Sequence, residues 1–254
     1  MGIQETLYIV MPAYNEEANL ETVIKQWYPI VETIGRESRL VIIDDGSQDS
    51  TYEILSREHK KYPQLVPVTK KNGGHGAAVL YGYRYAIEHE ADWIFQTDSD
   101  GQTNPEEFAD FWEARGEYDA IIGTRPNRQD GASRKFVEAA LLLILRLTFG
   151  VKIPDSNAPY RLMRRELLEK YIYKMPIDFN LPNVMFTTYF SYFQEKVQFR
   201  EISFSPRQGG NNSINIKKII KIGWTALGDF RDLKKHIHDE VHNKTRRDDD
   251  FEKI

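Results

Sequence analysis

Phe95-Gln96-Thr97-Asp98-Ser99-Asp100-Gly101-Gln102 closes an apolar run that begins at Trp93 and sets two carboxylates one residue apart, with a glycine and an amide behind them. Read as a buried strand over 93–97, the run delivers Asp98, Asp100 and Gln102 to the edge of a sheet where open α/β folds bind ligands. Oxygen ligands crowded there suit a hard divalent cation, Mg2+ or Mn2+, that keeps waters and takes its other ligands from a substrate phosphate. An Asp-x-Asp alone is ordinary capping or turn chemistry. Its meaning depends on what surrounds it.

Upstream, Leu7-Tyr8-Ile9-Val10-Met11 is an apolar run of strand length ended by Pro12, and Arg39 to Ile43 is a second that runs into Asp44-Asp45-Gly46-Ser47. Leu65 to Thr69 is a third, followed by Asn72-Gly73-Gly74-His75-Gly76, and Tyr118 to Gly123 is a fifth beyond the Trp93 strand. Between them, Leu20, Val23, Ile24, Trp27, Val31 and Ile34 follow helical spacing behind a cap at Asn15. Asp49 or Ser50 caps the next helix, and further helices are predicted from Ala77 to Glu88 and from Pro105 to Arg115. Strands alternating with helices predict an α/β fold with a mostly parallel central sheet and right-handed crossovers. The turn after the first strand reads Pro12-Ala13-Tyr14-Asn15-Glu16, not Gly-x-Gly-x-x-Gly, and no Gly-Lys-Ser/Thr loop occurs. The dinucleotide and P-loop readings therefore lose their main support.

Composition bounds the rest. A chain of 254 residues with a hydrophobic share of 41% holds one large domain or one plus an extension. The formal charge of -4 gives no reason to expect nucleic acid. Without cysteine there is neither a disulfide nor a thiolate metal site, and the reducing cytoplasm is the expected compartment. Met1-Gly2-Ile3-Gln4-Glu5 shows no signal peptide.

Four stretches in order, Val10-Met11-Pro12-Ala13-Tyr14-Asn15-Glu16, Ile42-Ile43-Asp44-Asp45-Gly46-Ser47, Asn72-x-Gly74-x-Gly76-Ala77-Ala78 and Gln96 to Gln102, resemble the motifs of glycosyltransferase family 2 over residues 5–215. Within it they look most like the dolichol-phosphate mannose synthase and polyprenyl-phosphate glycosyltransferase branch. The resemblance implies a GT-A fold and an inverting, metal-dependent transfer of a hexose from a nucleotide-sugar donor to a polyprenyl phosphate. It implies that Pro12, Tyr14 and Glu16 line the nucleotide pocket with Tyr14 against the base, and that Asp44 bonds the base or ribose while Asp45 supports the same turn. Asp98 would face the ribose and donor sugar, and Asp100 and Gln102 would ligate the metal with Asp98 beside them. Gly74 and Gly76 would allow close backbone approach, with His75 as an added donor.

On the acceptor side, the resemblance assigns a lipid phosphate to Arg125 and Arg134, which suits arginine because its guanidinium meets phosphate in bidentate fashion. Asp155-Ser156-Asn157-Ala158-Pro159-Tyr160-Arg161 resembles the family's Asp-x-x-x-Gly-Phe-Arg, with Pro in place of Gly, and Arg207 would reach the donor diphosphate from a closing segment. Relatives that glycosylate a hydroxyl carry a Glu-Asp pair as base before a later helix. Asp178 to Asn183 has no such pair, and a phosphate, already anionic, needs no base. Asp178 as a displaced base keeps a glycan or other hydroxyl acceptor as the alternative, and a non-catalytic nucleotide-sugar-binding protein is a further one. A nucleotidyltransferase would need a basic, glycine-rich turn after the first strand.

The segment 136–149 is apolar on nearly every face but shorter than the roughly 20 residues that span a bilayer. It is expected either in a core or at the membrane interface. Ile216, Ile219, Ile220, Trp224, Leu227 and Phe230 form a stripe with Lys217, Lys218 and Lys221 on other faces, a basic amphipathic helix over 216–238. It has three candidate surfaces to cover: anionic lipid, the catalytic domain of 1–215, or a second copy in a homodimer. The charged tail 239–254 is expected to fray. The expected location is cytoplasmic, peripheral to the inner face of the membrane.

Overall fold

All seven residues of the first strand, β1 (Leu7–Ala13), are buried. That is what a strand with helices on both faces requires, because neither side of its pleat meets water. Leu7, Ile9, Met11 and Ala13 point into a core shared with Leu20, Val23, Ile24, Trp27 and Val31 of α1 (Leu20–Ile34), while α3 (His75–Glu88) packs on the opposite face. The computed structural model describes residues 5–126 and 132–205, with side chains in 132–149 described from Glu138 onward.

One sheet of seven strands runs in the order β3-β2-β1-β4-β6-β5-β7, built from β1, β2 (Arg39–Asp44), β3 (Leu65–Thr69), β4 (Trp93–Thr97), β5 (Ala120–Thr124), β6 (Tyr160–Arg164) and β7 (Val197–Glu201). β1 pairs in parallel with β2 and β4, β2 with β3, and β5 with β7. β6 alone runs antiparallel, wedged between β4 and β5. Because it reverses direction, its start at Tyr160 lies beside Thr97 at the end of β4. The carboxyl ends of β1 to β5 and β7 and the amino end of β6 thus share one edge.

The five expected strands are present, with the fifth displaced to Ala120–Thr124, and the sheet is mostly parallel as expected. The expected helix over 105–115 is a 3-10 turn at Pro105–Glu107 continued by α4 (Phe108–Ala114). α2 (Thr51–His59), α6 (Arg165–Ile172) and α7 (Pro182–Tyr192) complete the sheet-bearing part. Below the edge, Phe95 sits 5.4 Å from Trp27, 5.0 Å from Phe108 and 4.7 Å from Tyr160 between ring centroids. This aromatic packing anchors the strand that carries the carboxylates.

The cap expected at Asn15 is corrected. Asn15 takes a left-handed backbone, φ 54°, and its Oδ1 accepts from the Gln48 N–H at 2.8 Å. Short polar side chains tolerate that region because they bond locally, and here the asparagine staples the first loop to the second. The helix begins at Leu20.

The described residues fall into two compact units, and α5 (Ala132–Phe149) belongs to the one without the sheet. α5 has 18 residues and exposes Leu143 and Leu147. Among the described residues no helix is long and apolar enough to cross a membrane. The 216–238 helix and the 239–254 tail lie outside the described residues.

Candidate active site at the carboxyl edge of the sheet

The β2 turn is built around two carboxylates with different duties. Asp44, at the end of the strand and buried, accepts from the Ser47 N–H at 3.0 Å and from the Thr69 hydroxyl at 2.7 Å. Asp45 accepts from the Gly73 N–H at 3.0 Å and the Gly74 N–H at 2.7 Å, and from the Lys70 ammonium. The glycine loop after β3 is thereby held against the β2 turn by charge-assisted bonds. Gly74 has φ +90°, which glycine adopts at no steric cost.

Gly76 serves a close approach by the chain itself. A Cβ there would lie 2.4 Å from the Phe179 carbonyl oxygen and 2.5 Å from that of Asn180. The glycine admits the chain's own 179–180 backbone, which brings the segment before α7 up to the glycine loop.

Glu16 lies within the first loop. Its carboxylate is buried and accepts from Asn19 Nδ2 at 2.8 Å, while its N–H donates to Thr51 Oγ1 at 2.9 Å, so it braces the first two loops from within. Tyr14, on the same loop, is 37% exposed and free to present a ring face to solvent. Pro12 contributes its carbonyl, which accepts from the buried Ser99 hydroxyl at 2.8 Å and ties the Asp-x-Asp loop to β1.

Asp98 is the carboxylate on which this edge converges. Its Oδ1 accepts from Gln96 Nε2 and lies 3.1 Å from His75 Nε2, the first residue of α3. The chain around the imidazole disfavours its charge. The Asp98 charge and hydrogen bond, joined by Asp100 and Asp45, outweigh this and raise its pKa above the ordinary imidazole value. His75 is thus a donor facing the site. Asp100 accepts from the Gln102 N–H at 3.2 Å around Gly101, and both carboxylates remain part-exposed.

Gln102 is tied down through its amide nitrogen. Its Nε2 donates to the Ser205 carbonyl at 2.8 Å, the Ser205 N–H returns a bond to the Gln102 carbonyl, and Thr103 bridges to Phe204. The amide is drawn into the short ladder that joins this loop to the segment after β7. Among the described residues no three His, Asp or Glu side chains form a ready-made metal cage. The donor set that would suit a cation here is Asp98, Asp100 and the side-chain oxygen of Gln102, with the rest of its shell from water and a substrate's phosphates.

Arg125, assigned to a lipid phosphate by resemblance, has a buried guanidinium that binds Asp155 in bidentate fashion, Nε to Oδ2 at 2.8 Å and Nη2 to Oδ1 at 3.0 Å, with the Phe204 ring 5.1 Å away. The reason is topological: the antiparallel β6 brings Asp155 to the same edge as the end of β5, and a buried guanidinium takes the nearest carboxylate. The backbone of α5 includes Arg134, whose side chain is not among those described, and Arg207 lies outside the described residues.

Sequence reasoning missed the polar layer beneath Asp98. Gln96, Arg161 and Asn183 are all buried, and Gln96 and Arg161 are direct partners across β4 and β6. Arg161 donates to the Ala158 and Asn183 carbonyls and to Thr187 Oγ1, and burial lowers its pKa from the usual guanidinium value. The available signal was an amide inside an otherwise apolar strand.

The sequence profile described as glycosyl transferase family 2 matches residues 8–172. Among curated relatives, an undecaprenyl-phosphate 4-deoxy-4-formamido-L-arabinose transferase of Pseudomonas paraeruginosa is 30% identical over 164 residues, 63% of this chain and 48% of the relative. One of the same name from Pectobacterium carotovorum is 26% identical over 86% of this chain and 65% of its own length. The chain thus spans about half to two thirds of these relatives, as those shares give. Glucosyl-3-phosphoglycerate synthase from Mycobacterium tuberculosis, solved with Mn2+ and UDP-glucose, superposes with a TM-score of 0.65 at 19% identity, covering 91% of this chain and 79% of that one. S. aureus TarS 1-349 gives 0.56 at 16% identity, over 80% of this chain and 60% of that one. The fold is that of GT-A glycosyltransferases, and the profile covers most of the sheet and every loop at its carboxylate edge up to β6: the chain belongs to glycosyl transferase family 2.

Proposed function

We propose that this chain transfers a hexose from a GDP- or UDP-sugar to a polyprenyl phosphate with inversion at the anomeric carbon. The observation that carries the reading is the placement of Asp98, part-exposed and held by His75 and Gln96, between the Asp45-clamped glycine loop and Asp100. In the reaction an acceptor phosphate oxygen forms a bond to the anomeric carbon as the bond to the donor diphosphate breaks, and the nucleoside diphosphate leaves with the electron pair. Positive charge develops on the sugar, and a fixed carboxylate such as Asp98 stabilises it in place. The ring of Tyr14 stacks on the base, and Asp44, held by Ser47 and Thr69, accepts from the base or ribose. A divalent cation held by Asp100 and Gln102 with Asp98 beside them would neutralise charge on the departing diphosphate.

The polyprenyl-phosphate acceptor is supported by the names of the curated relatives and by the absence of a Glu-Asp pair at 178–183. Asn183, where such a base would be sought, is buried and hydrogen bonded. A hydroxyl acceptor is a second reading, favoured by one observation: Asp178 is exposed, next to the 179–180 backbone that meets Gly76. The reading places the protein in the cytoplasm, peripheral to the inner face of the membrane where such a headgroup is reached.

A thermal-shift screen of GDP, UDP and dTDP with and without Mn2+ tests the donor side. At a hundred times its dissociation constant the true nucleotide stabilises by about 2.7 kcal/mol, and this gain should require the cation. No shift with any of them would overturn the catalytic reading. On the acceptor side, Arg134→Ala should raise KM for polyprenyl phosphate by about tenfold, the worth of one charge-assisted phosphate contact, while the donor KM holds. An unchanged acceptor KM would remove Arg134 from the site.

A further inference from the structure

Beneath Asp98 three polar side chains form a directed chain across the interior. Tyr83 Oη donates to Asn183 Oδ1 at 2.9 Å, Asn183 Nδ2 donates to Gln96 Oε1 at 2.9 Å, and Gln96 Nε2 donates to Asp98 Oδ1 at 3.1 Å. Asn183 and Gln96 are buried and Tyr83 is fully so. The direction of donation is fixed from its outer end. An ionised carboxylate only accepts, so Gln96 must turn its NH2 to Asp98 and its oxygen inward. Asn183 must then turn its NH2 to Gln96 and its oxygen to the Tyr83 hydroxyl. Burial pushes the Tyr83 pKa far up, so the hydroxyl keeps its proton and always has one to give. Asn183 is itself pinned, because Arg161 Nη1 donates to its carbonyl at 3.1 Å from the strand beside Gln96.

We infer that Asn183 is a positioning residue for the transfer reaction, holding the Asp98 carboxylate in its working orientation through Gln96. This rests on the assignment of Asp98 to the donor and cation site. The relay crosses from α3 through α7 to β4, so the packing of two helices sets the aim of one carboxylate. A half-satisfied buried network costs stability, and each member here has a partner for the groups it turns to the next.

The test is Asn183→Asp, which keeps the shape and inverts the polarity. A carboxylate at 183 demands the NH2 of Gln96, which then turns its oxygen on Asp98 and repels it. Wild type is first shown to gain thermal stability from Mn2+ with its nucleoside diphosphate. If it does not, the functional reading fails and the relay is not at issue. In the variant, the Mn2+ concentration for half-maximal stabilisation should rise by about tenfold or more, the usual effect of disturbing a group behind a ligand, and kcat should fall with acceptor KM unchanged. The same substitution in a Gln96→Met background should add nothing further, since the path is already cut. Tyr83→Phe, which removes only the last donor, gives a smaller shift in the same direction and serves if Asn183→Asp fails to fold. Wild-type Mn2+ dependence in a folded Asn183→Asp or Tyr83→Phe protein, or additive effects in the double variant, would overturn the inference.

Discussion

Replacing Asp100 by alanine should abolish Mn2+-dependent nucleotide binding and lower kcat/KM by about a thousandfold, or about 4 kcal/mol, with the ligand-free protein still folded. The two halves of this expectation have different sources. Asp100 lies on a part-exposed loop beyond the end of β4, outside the aromatic packing that anchors the strand. The carboxylate is one of two that the loop offers. Losing it leaves a cation with Asp98 as its remaining carboxylate and two negative phosphates without their counter-charge. Calorimetric titration of nucleoside diphosphate with Mn2+ reads the first half directly, and unchanged binding would remove the cation from this loop.

The second large effect is on stability. Asp155→Ala should lower stability by about 3–5 kcal/mol and the melting temperature by about 10 °C. Arg125 and Asp155 have side chains each 4% exposed, so removing the carboxylate strands a guanidinium in a dry site. Most of that loss is the penalty on the abandoned charge and little of it is net attraction. The double replacement Arg125→Met with Asp155→Leu should therefore recover most of the stability. A single variant that melts with wild type would show that water reaches Arg125. This pair makes Arg125 a clamp between the end of β5 and the approach to β6.

Asp98 and Asp100 were legible because a parallel strand buried on both faces must read as a continuous apolar run, and the polar residues that end it must sit at the ligand edge. The same logic located Asp44, Asp45 and the glycine loop, since a chain that alternates strands and helices returns each loop to that edge. β6 and β7 were not legible. Tyr160–Arg164 carries two arginines in five residues and Val197–Glu201 is polar at three of its five, so neither resembles a buried strand.

What the sequence by itself determined, then, was the local layer: strand ends, loop chemistry and the family to which the ordered motifs point. What the tertiary structure decided was the pairing of groups far apart in the chain. Arg125 with Asp155, Gln102 with Ser205, Gly76 with the 179–180 backbone and Asn183 with Gln96 all depend on one reversed strand and on how α3 and α7 lie over it. The physical reason is that apolar periodicity is a property of neighbouring residues, whereas a buried polar side chain takes whichever partner the folded chain brings within about 3 Å.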